Sequence, residues 1–288
     1  MLGWADTLLQ GILLGGLYSL YATGLSVIFG IMRLVNLAHG DLIVLGAFLI
    51  LAATSAGVPL IVACAVVVPL MFALGYALQS VLLNRALGRN ILPPLLITFG
   101  LSIIVQNGLL ETFSADTRRL DVGHLQSASL PIGGGIAIGI MPLIGLVAAI
   151  AVILLLNALF YRTAVGRAFR ATSDDVEIAQ LMGINNRSIY ALTMGISLAV
   201  CALAAFFLGT RANFDPSIGP ARLLYAFEAV IIGGLGSLWG TLAGGIVLGL
   251  AQTVGAHIDP EWQILSGHIA FLMVLVIRPR GLFPRAVD

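Results

Sequence analysis

Residues 161–190 read YRTAVGRAFRATSDDVEIAQLMGINNRSIY. The stretch carries Arg162, Arg167, Arg170 and Arg187 together with Asp174, Asp175 and Glu177, and it is bounded by apolar runs at about 140–160 and 189–208. Hydrocarbon offers no partner to charges or to irregular backbone, so such an island lies in water or against another protein while its flanks cross a bilayer. It also has internal order. Thr172-Ser173 followed by Asp174-Asp175 predicts a helix start with acid in its first turn. Val176, Ala179, Leu181 and Met182 then predict a short amphipathic helix, and Gly183 before Ile184-Asn185-Asn186 predicts its stop. A capped helix on the watery side of a membrane protein suits docking into another protein's groove.

The rest of the chain agrees. Of its 288 residues, 59% are hydrophobic and 9% charged, against about one quarter charged in soluble domains. Mean hydropathy is +1.06. The class is a polytopic membrane protein. A net charge of +1 gives no basic field and no argument for nucleic acid, and none is expected as a partner. All basic residues are arginine, which reads as compositional bias. Cys64 and Cys201 sit in apolar runs without disulfide or metal spacing. The opening MLGWADTLLQ has no basic stretch or cleavage pattern and reads as the beginning of a first span.

Apolar runs fall at about 8–32, 37–55, 58–83, 93–110, 140–160, 189–208 and 264–277. Residues 111–139 form a polar, glycine-rich loop, and 223–257 is too long for one span and short for two. Arginine placement arbitrates. With 161–190 cytoplasmic and 223–257 crossing twice, residues 33, 85, 89, 162, 167, 170, 187, 278, 280 and 285 lie inside, ten against the four at 118, 119, 211 and 222. A single crossing gives seven against seven. The expectation is an all-α transmembrane bundle, one domain over 1–288, with about eight or nine membrane segments. Residues 223–257 are then two crossings, or two half-helices meeting at the glycine turn.

Several polar or glycine positions inside the runs invite two readings each. Gly236, Gly240 and Gly244 are small-xxx-small steps of close helix packing; alternatively Gly233-Gly234-Leu235-Gly236 breaks a helix at membrane depth and exposes backbone dipoles to a solute path. Glu228 is either a path carboxylate facing protein or water, or a shallow one reaching Arg222 or Arg211. Asn36, His39 and Asp41 are a helix cap with a dipole-favoured acid, or a gate. Gln106 and Asn107 are interhelical glue or solute contacts. No catalytic constellation and no metal-ligand spacing occurs, and without lysine the chain builds no P-loop.

The runs GRAFRA at 166–171 and AQLMGIN at 179–185, with GLYSLYATGL at 16–25, NLAHGDL at 36–42 and IIGGLGSLWG at 231–240, resemble the branched-chain amino acid permeases of ABC importers, the LivH type, over essentially the whole chain. In that family an EAA-type loop seats in the ATPase. Glu177, Ala179 and Gly183 match it, Ile178 replaces its middle alanine, and the Ile-x-Leu-Pro that closes the general ABC pattern is absent near residue 193. The resemblance implies that Arg167, Asp174, Asp175, Glu177, Ala179 and Gly183 couple the permease to its motor. It further implies a heteromeric importer in a bacterial inner membrane. That importer comprises this permease, a sister permease, two ATPase subunits that use the ATP, and a periplasmic or lipid-tethered binding protein docking on 111–139 and 211–222. The cargo would be leucine, isoleucine, valine or a relative. This chain would itself bind no cofactor and catalyse no reaction. Alternatives are a same-family permease for urea, amides or other amino acids, and a secondary transporter.

Overall fold

A computed structural model of the chain describes residues 2–86, 92–133 and 136–283. Arg89 and Arg285, used in the charge count, and Gly134 and Gly135 of the polar loop lie outside the described residues. The helices in chain order are α1 (Leu2–Met32), α2 (His39–Ser55), α3 (Leu60–Leu78), continued by a π-helical turn and the short α4 (Asn84–Ala86), and α5 (Leu92–Phe113). An antiparallel hairpin of β1 (Ser129–Gly133) and β2 (Ile136–Gly139) leads into α6 (Ile140–Arg162). Then follow α7 (Ala164–Asp174), α8 (Val176–Leu181), α9 (Asn186–Arg211), α10 (Gly219–Gly233), α11 (Leu238–Ile258) and α12 (Trp262–Ile277). Six helices, α1, α3 with its extension, α5, α6, α9 and α11, are long and apolar enough to span a bilayer; α2 and α12 are apolar but shorter. The fold is therefore the expected all-α bundle, with the hairpin its one departure among the described residues.

The helices divide by what surrounds them. The most apolar stretches of α1 and α9 are 89% and 72% buried, whereas those of α3, α5 and α6 are only 22–28% buried. α1 and α9 thus form the centre, and the poorly buried helices turn Ile61, Val66, Leu96, Ile104, Val147 and Leu155 outward, faces that suit lipid or a second membrane subunit. Small residues set the central contact. A Cβ on Gly15 would lie 2.4 Å from Ile246 Cα, and one on Gly249 would lie 2.4 Å from Gly11 O, so α1 and α11 meet backbone to backbone.

One end of the bundle gathers the charge. Gly236 packs on Gly30 near the end of α1. Asn84 Nδ2 donates to Arg187 O at the start of α9, and the tail donates from Leu282 N and Phe283 N to Ile232 O and Gly233 O. Arg33, Arg85, Arg162, Arg167, Arg170, Arg187, Arg278 and Arg280 all belong to this end. The opposite end holds Arg118 and Arg119, with Arg211 and Arg222 flanking the loop between α9 and α10. That distribution puts the tail at the end where the turn between α10 and α11 lies. Residues 223–257 indeed form two antiparallel helices, and α10 begins earlier than expected, at Gly219, with Pro220 in its first turn.

Two helices begin inside the bundle. His39 Nε2 donates to Tyr21 O, and His39 also contacts Cys201 Sγ, so α2 starts beside the middle of α1 and α9. The start of α10 meets it there: a Cβ on Gly40 would lie 1.9 Å from Gly219 O. Residues 111–139 also prove more ordered than a loop. α5 runs on to Phe113, and Arg118 and Phe214 exchange backbone hydrogen bonds of 2.7 and 2.8 Å, while Leu120 N donates to Gly209 O. The two loops at this end are thereby stapled into one surface.

Candidate functional site

The segment 161–190 folds as two helices where one was expected. Thr163 caps α7 by accepting from Gly166 N. Thr172 and Ser173, read as a helix start, are in the last turn of α7. The cap of α8 is Asp175, whose extended backbone breaks the chain and whose Oδ1 accepts from Glu177 N at 2.8 Å and Ile178 N at 2.9 Å. A single carboxylate taking two of the free N–H groups explains why the acid itself, and not the hydroxyl pair before it, starts the helix. Gly183 stops α8 as expected, with φ +83°, Gly183 N donating to Gln180 O and Ile184 N to Ala179 O.

The amphipathic stripe is divided. Ala179 is buried at 2%, whereas Leu181 and Met182 are 86% and 78% exposed and Ile178 and Val176 are exposed with them. Arg167, Asp174, Asp175 and Glu177 are exposed too. The helix is not continuous with the flanking spans, because α7 and the 182–185 turn intervene. Asn186, which the sequence reading did not single out, supplies the link. Its Nδ2 donates to Val176 O at 2.7 Å and its Oδ1 accepts from Thr172 Oγ1 at 3.2 Å. Asn186 is in the first turn of α9, so the peg α8 is tied by side-chain bonds to one of the two central helices.

The interior candidates separate into three groups. Asp41, 1% exposed, accepts from Ser102 Oγ at 2.5 Å, and Ser102 Oγ accepts from Gln106 Nε2 at 3.1 Å, so α2 and α5 are joined by a polar chain. The second oxygen of Asp41 has no partner, and a Cβ on Gly219 would strike it. Asn36 and His39 lie behind. Asn36 Oδ1 accepts from Ala38 N at 3.0 Å, a turn before the helix and not its cap. Glu228 does not reach Arg222 or Arg211; its Oε1 meets His268 Nδ1, which ties α10 to α12. Gly233, Gly234 and Gly236 form a packed turn at the arginine-rich end. A Cβ on Gly233 would lie 2.1 Å from Gly240 O, and Gly281 packs on Gly234. Close packing is thus present in this glycine run, and the chain also breaks there between α10 and α11, with Gly236 lining a cavity. Ser102 and His268 were missed in the sequence; the signals were a hydroxyl one turn before Gln106 and a single titratable group in an otherwise apolar run. Among the described residues no group of three His, Cys, Asp or Glu is placed to hold a metal ion.

Residues 7–277 match the model of a family described as the branched-chain amino acid transport system / permease component. The chain belongs to this family. It is 30% identical to the high-affinity branched-chain amino acid transport system permease protein BraD of Pseudomonas aeruginosa, over 98% of this chain and 96% of that one. It is likewise 30% identical to the LivH permease protein of the corresponding Escherichia coli system, over 96% and 94%. Among solved structures it resembles PsaBC from Streptococcus pneumoniae in complex with Fab, with TM-score 0.51 and 15% identity over 95% of this chain and 92% of that one; that likeness concerns the fold alone. The permease resemblance read from the short motifs thus extends over the whole bundle, and the chain is a multi-pass membrane permease of the ABC importer type.

Proposed function

We propose that this permease carries branched-chain amino acids through the plasma membrane of a bacterium, driven by ATP hydrolysed on separate ATPase subunits. It works beside a sister permease, and a binding protein is received on the stapled outer loops. The observation that carries the coupling half is α8: Ile178 and Leu181 stand in the open on a six-residue helix, with Met182 at its C-cap. Free exposure of three large apolar side chains on so small an element fits a partner's groove. Glu177 and the acidic cap Asp175 rim it, and Arg167, Asp174, Ala179 and Gly183 complete the seat. Pressure on α8 passes through Asn186 to the buried helix α9 and, through α7, to α6, which is the rigid-body route alternating access needs. Counting α2, α10 and α12 with the six long helices gives nine membrane segments.

The solute path is proposed to run past Asp41 and Gln106, where α2 and α10 begin and two helix N-termini point inward. Asn36 and His39 back it, and Glu228 with the Gly233, Gly234 and Gly236 turn fixes its wall. The chain itself holds no cofactor and catalyses no reaction in this reading. Glu177→Lys or Gly183→Asp is expected to leave the protein inserted and folded while uptake of labelled leucine falls to background. Normal uptake in both variants would remove the docking role. Because the delivering protein selects the solute, urea, an amide or another amino acid remains the alternative cargo, and thermal shifts of that binding protein with each solute decide it. A secondary carrier would co-purify without an ATPase.

A further inference from the structure

We propose that the cavity beneath α7 binds the phosphate headgroup of an anionic glycerophospholipid. The cavity, about 270 Å³, lies at the arginine-rich end, where Ser26 of α1, Asn157 of α6, Arg170 and Ser173 of α7, and Ser237 and Trp239 at the start of α11 face one another. Three independent features select an anion. Arg170 is the charged group of the lining; one of its donors takes Phe160 O, and its guanidinium lies 5.1 Å from the Tyr161 ring centre, which leaves further N–H groups for a ligand. The N-terminus of α11 opens on the cavity. Ser237 Oγ accepts only from Gly240 N there, and the first-turn N–H groups have no acceptor within the helix, so a negative charge is favoured. Ser26 is 1% exposed, lines the cavity, and its Oγ has no hydrogen-bond partner. A buried hydroxyl left without a partner is unfavourable, and a side-chain rotation that brings Ser26 Oγ to the cavity would let a ligand oxygen supply one. No acid is in the lining; Asp174 touches it through Ser173 Oγ at 3.5 Å.

The surroundings select a lipid over a free ion. Val27, Ile31 and Leu238 make the walls apolar. Tyr161 and Trp239, 66% and 46% exposed, stand at the mouth as interfacial aromatics do. Further along the same face of α6 the exposed Leu154 and Val147 offer a track for an acyl chain. Basic pockets between spans at the membrane surface take lipid headgroups for these reasons. A bound lipid would join α7 to α1 and α11, bracing the base on which α8 stands, whatever solute is carried.

The test uses the full-length protein in detergent with dihexanoyl-phosphatidylglycerol, dihexanoyl-phosphatidylcholine or inorganic phosphate. Phosphatidylglycerol is expected to raise the unfolding midpoint by about 2–4 °C near saturation, and the other two to leave it unmoved. Arg170→Gln is expected to weaken the phosphatidylglycerol effect about tenfold, and Trp239→Ala, an exposed position that leaves the fold intact, several-fold. An equal shift with phosphatidylcholine would overturn the headgroup assignment, and a full shift with inorganic phosphate alone would overturn the lipid. Should Arg170→Gln fail to fold, an unweakened response in Trp239→Ala overturns the site.

Discussion

Two chain reversals at the arginine-rich end make the same backbone demand and meet opposite surroundings. Gly183 and Gly236 both sit at positive φ, +83° and +79°, where side chains with a Cβ are disfavoured. Around Gly183 nothing lies within 4 Å of an added Cβ, whereas at Gly236 it would stand 2.9 Å from Gly30 Cα. The first turn therefore presents what it carries, namely the outward Leu181 and Met182. The second is a joint, locked between α1, α11 and the tail. In the proposed coupling role the first reversal meets another molecule, whereas the second holds this molecule together, although both read as glycine after a helix.

That contrast can be broken by substitution. Gly233→Leu, beside the packed joint, is expected to cost roughly 3 kcal/mol or more, because backbone on both sides must separate; fluorescence-detected size exclusion should show little folded protein, and a normal monodisperse peak would mean the joint is not tight. Leu181→Asp at the open turn is expected to leave the thermal midpoint within a degree or so while uptake falls about tenfold, on the order of 1.4 kcal/mol of coupling; unchanged uptake would make the exposed patch incidental. Asp175→Ala removes the cap of α8 at a cost of about 1 kcal/mol, read as faster amide exchange over 176–181 with the rest of the bundle unaltered; exchange that stays slow would mean Asn186 alone holds the helix. Gly183→Asn should change least, a few tenths of a kcal/mol, since asparagine tolerates this conformation and the space is empty. Its uptake should stay near that of the parent, in contrast to Gly183→Asp, where a charge is added to the docking face.

Much of this was open to reading from residues alone. Apolar runs and arginine bias located the spans and favoured two helices in 223–257, because bilayer thickness and charge insertion cost act on composition without regard to neighbours. Gly183 was legible as a stop, since its signal is local. The start of α8 was not. Thr172-Ser173 and Asp175 are all competent caps, and which one serves depends on where α7 ends, which the Thr172–Asn186 contact helps to fix. Glu228 was recognised as a carboxylate needing a partner, but the partner is forty residues away on α12. Nothing in spacing distinguishes His268 from Arg211 or Arg222.

Sequence by itself determined that this chain lives in a membrane, that a charged segment with a short capped helix projects from one end, and which family of permeases it joins. The first two follow from hydropathy, charge and local backbone preference, each a function of neighbouring residues, and the family from the resemblance of short motifs. Only the tertiary structure decided that α1 and α9 are central, that α2 and α10 begin face to face in the interior with Asp41 between them, and that the glycine run packs against α1, α11 and the tail. Close backbone approach and buried pairing are made between residues far apart in the chain, and no local pattern encodes which of several equally apolar helices will supply the other half.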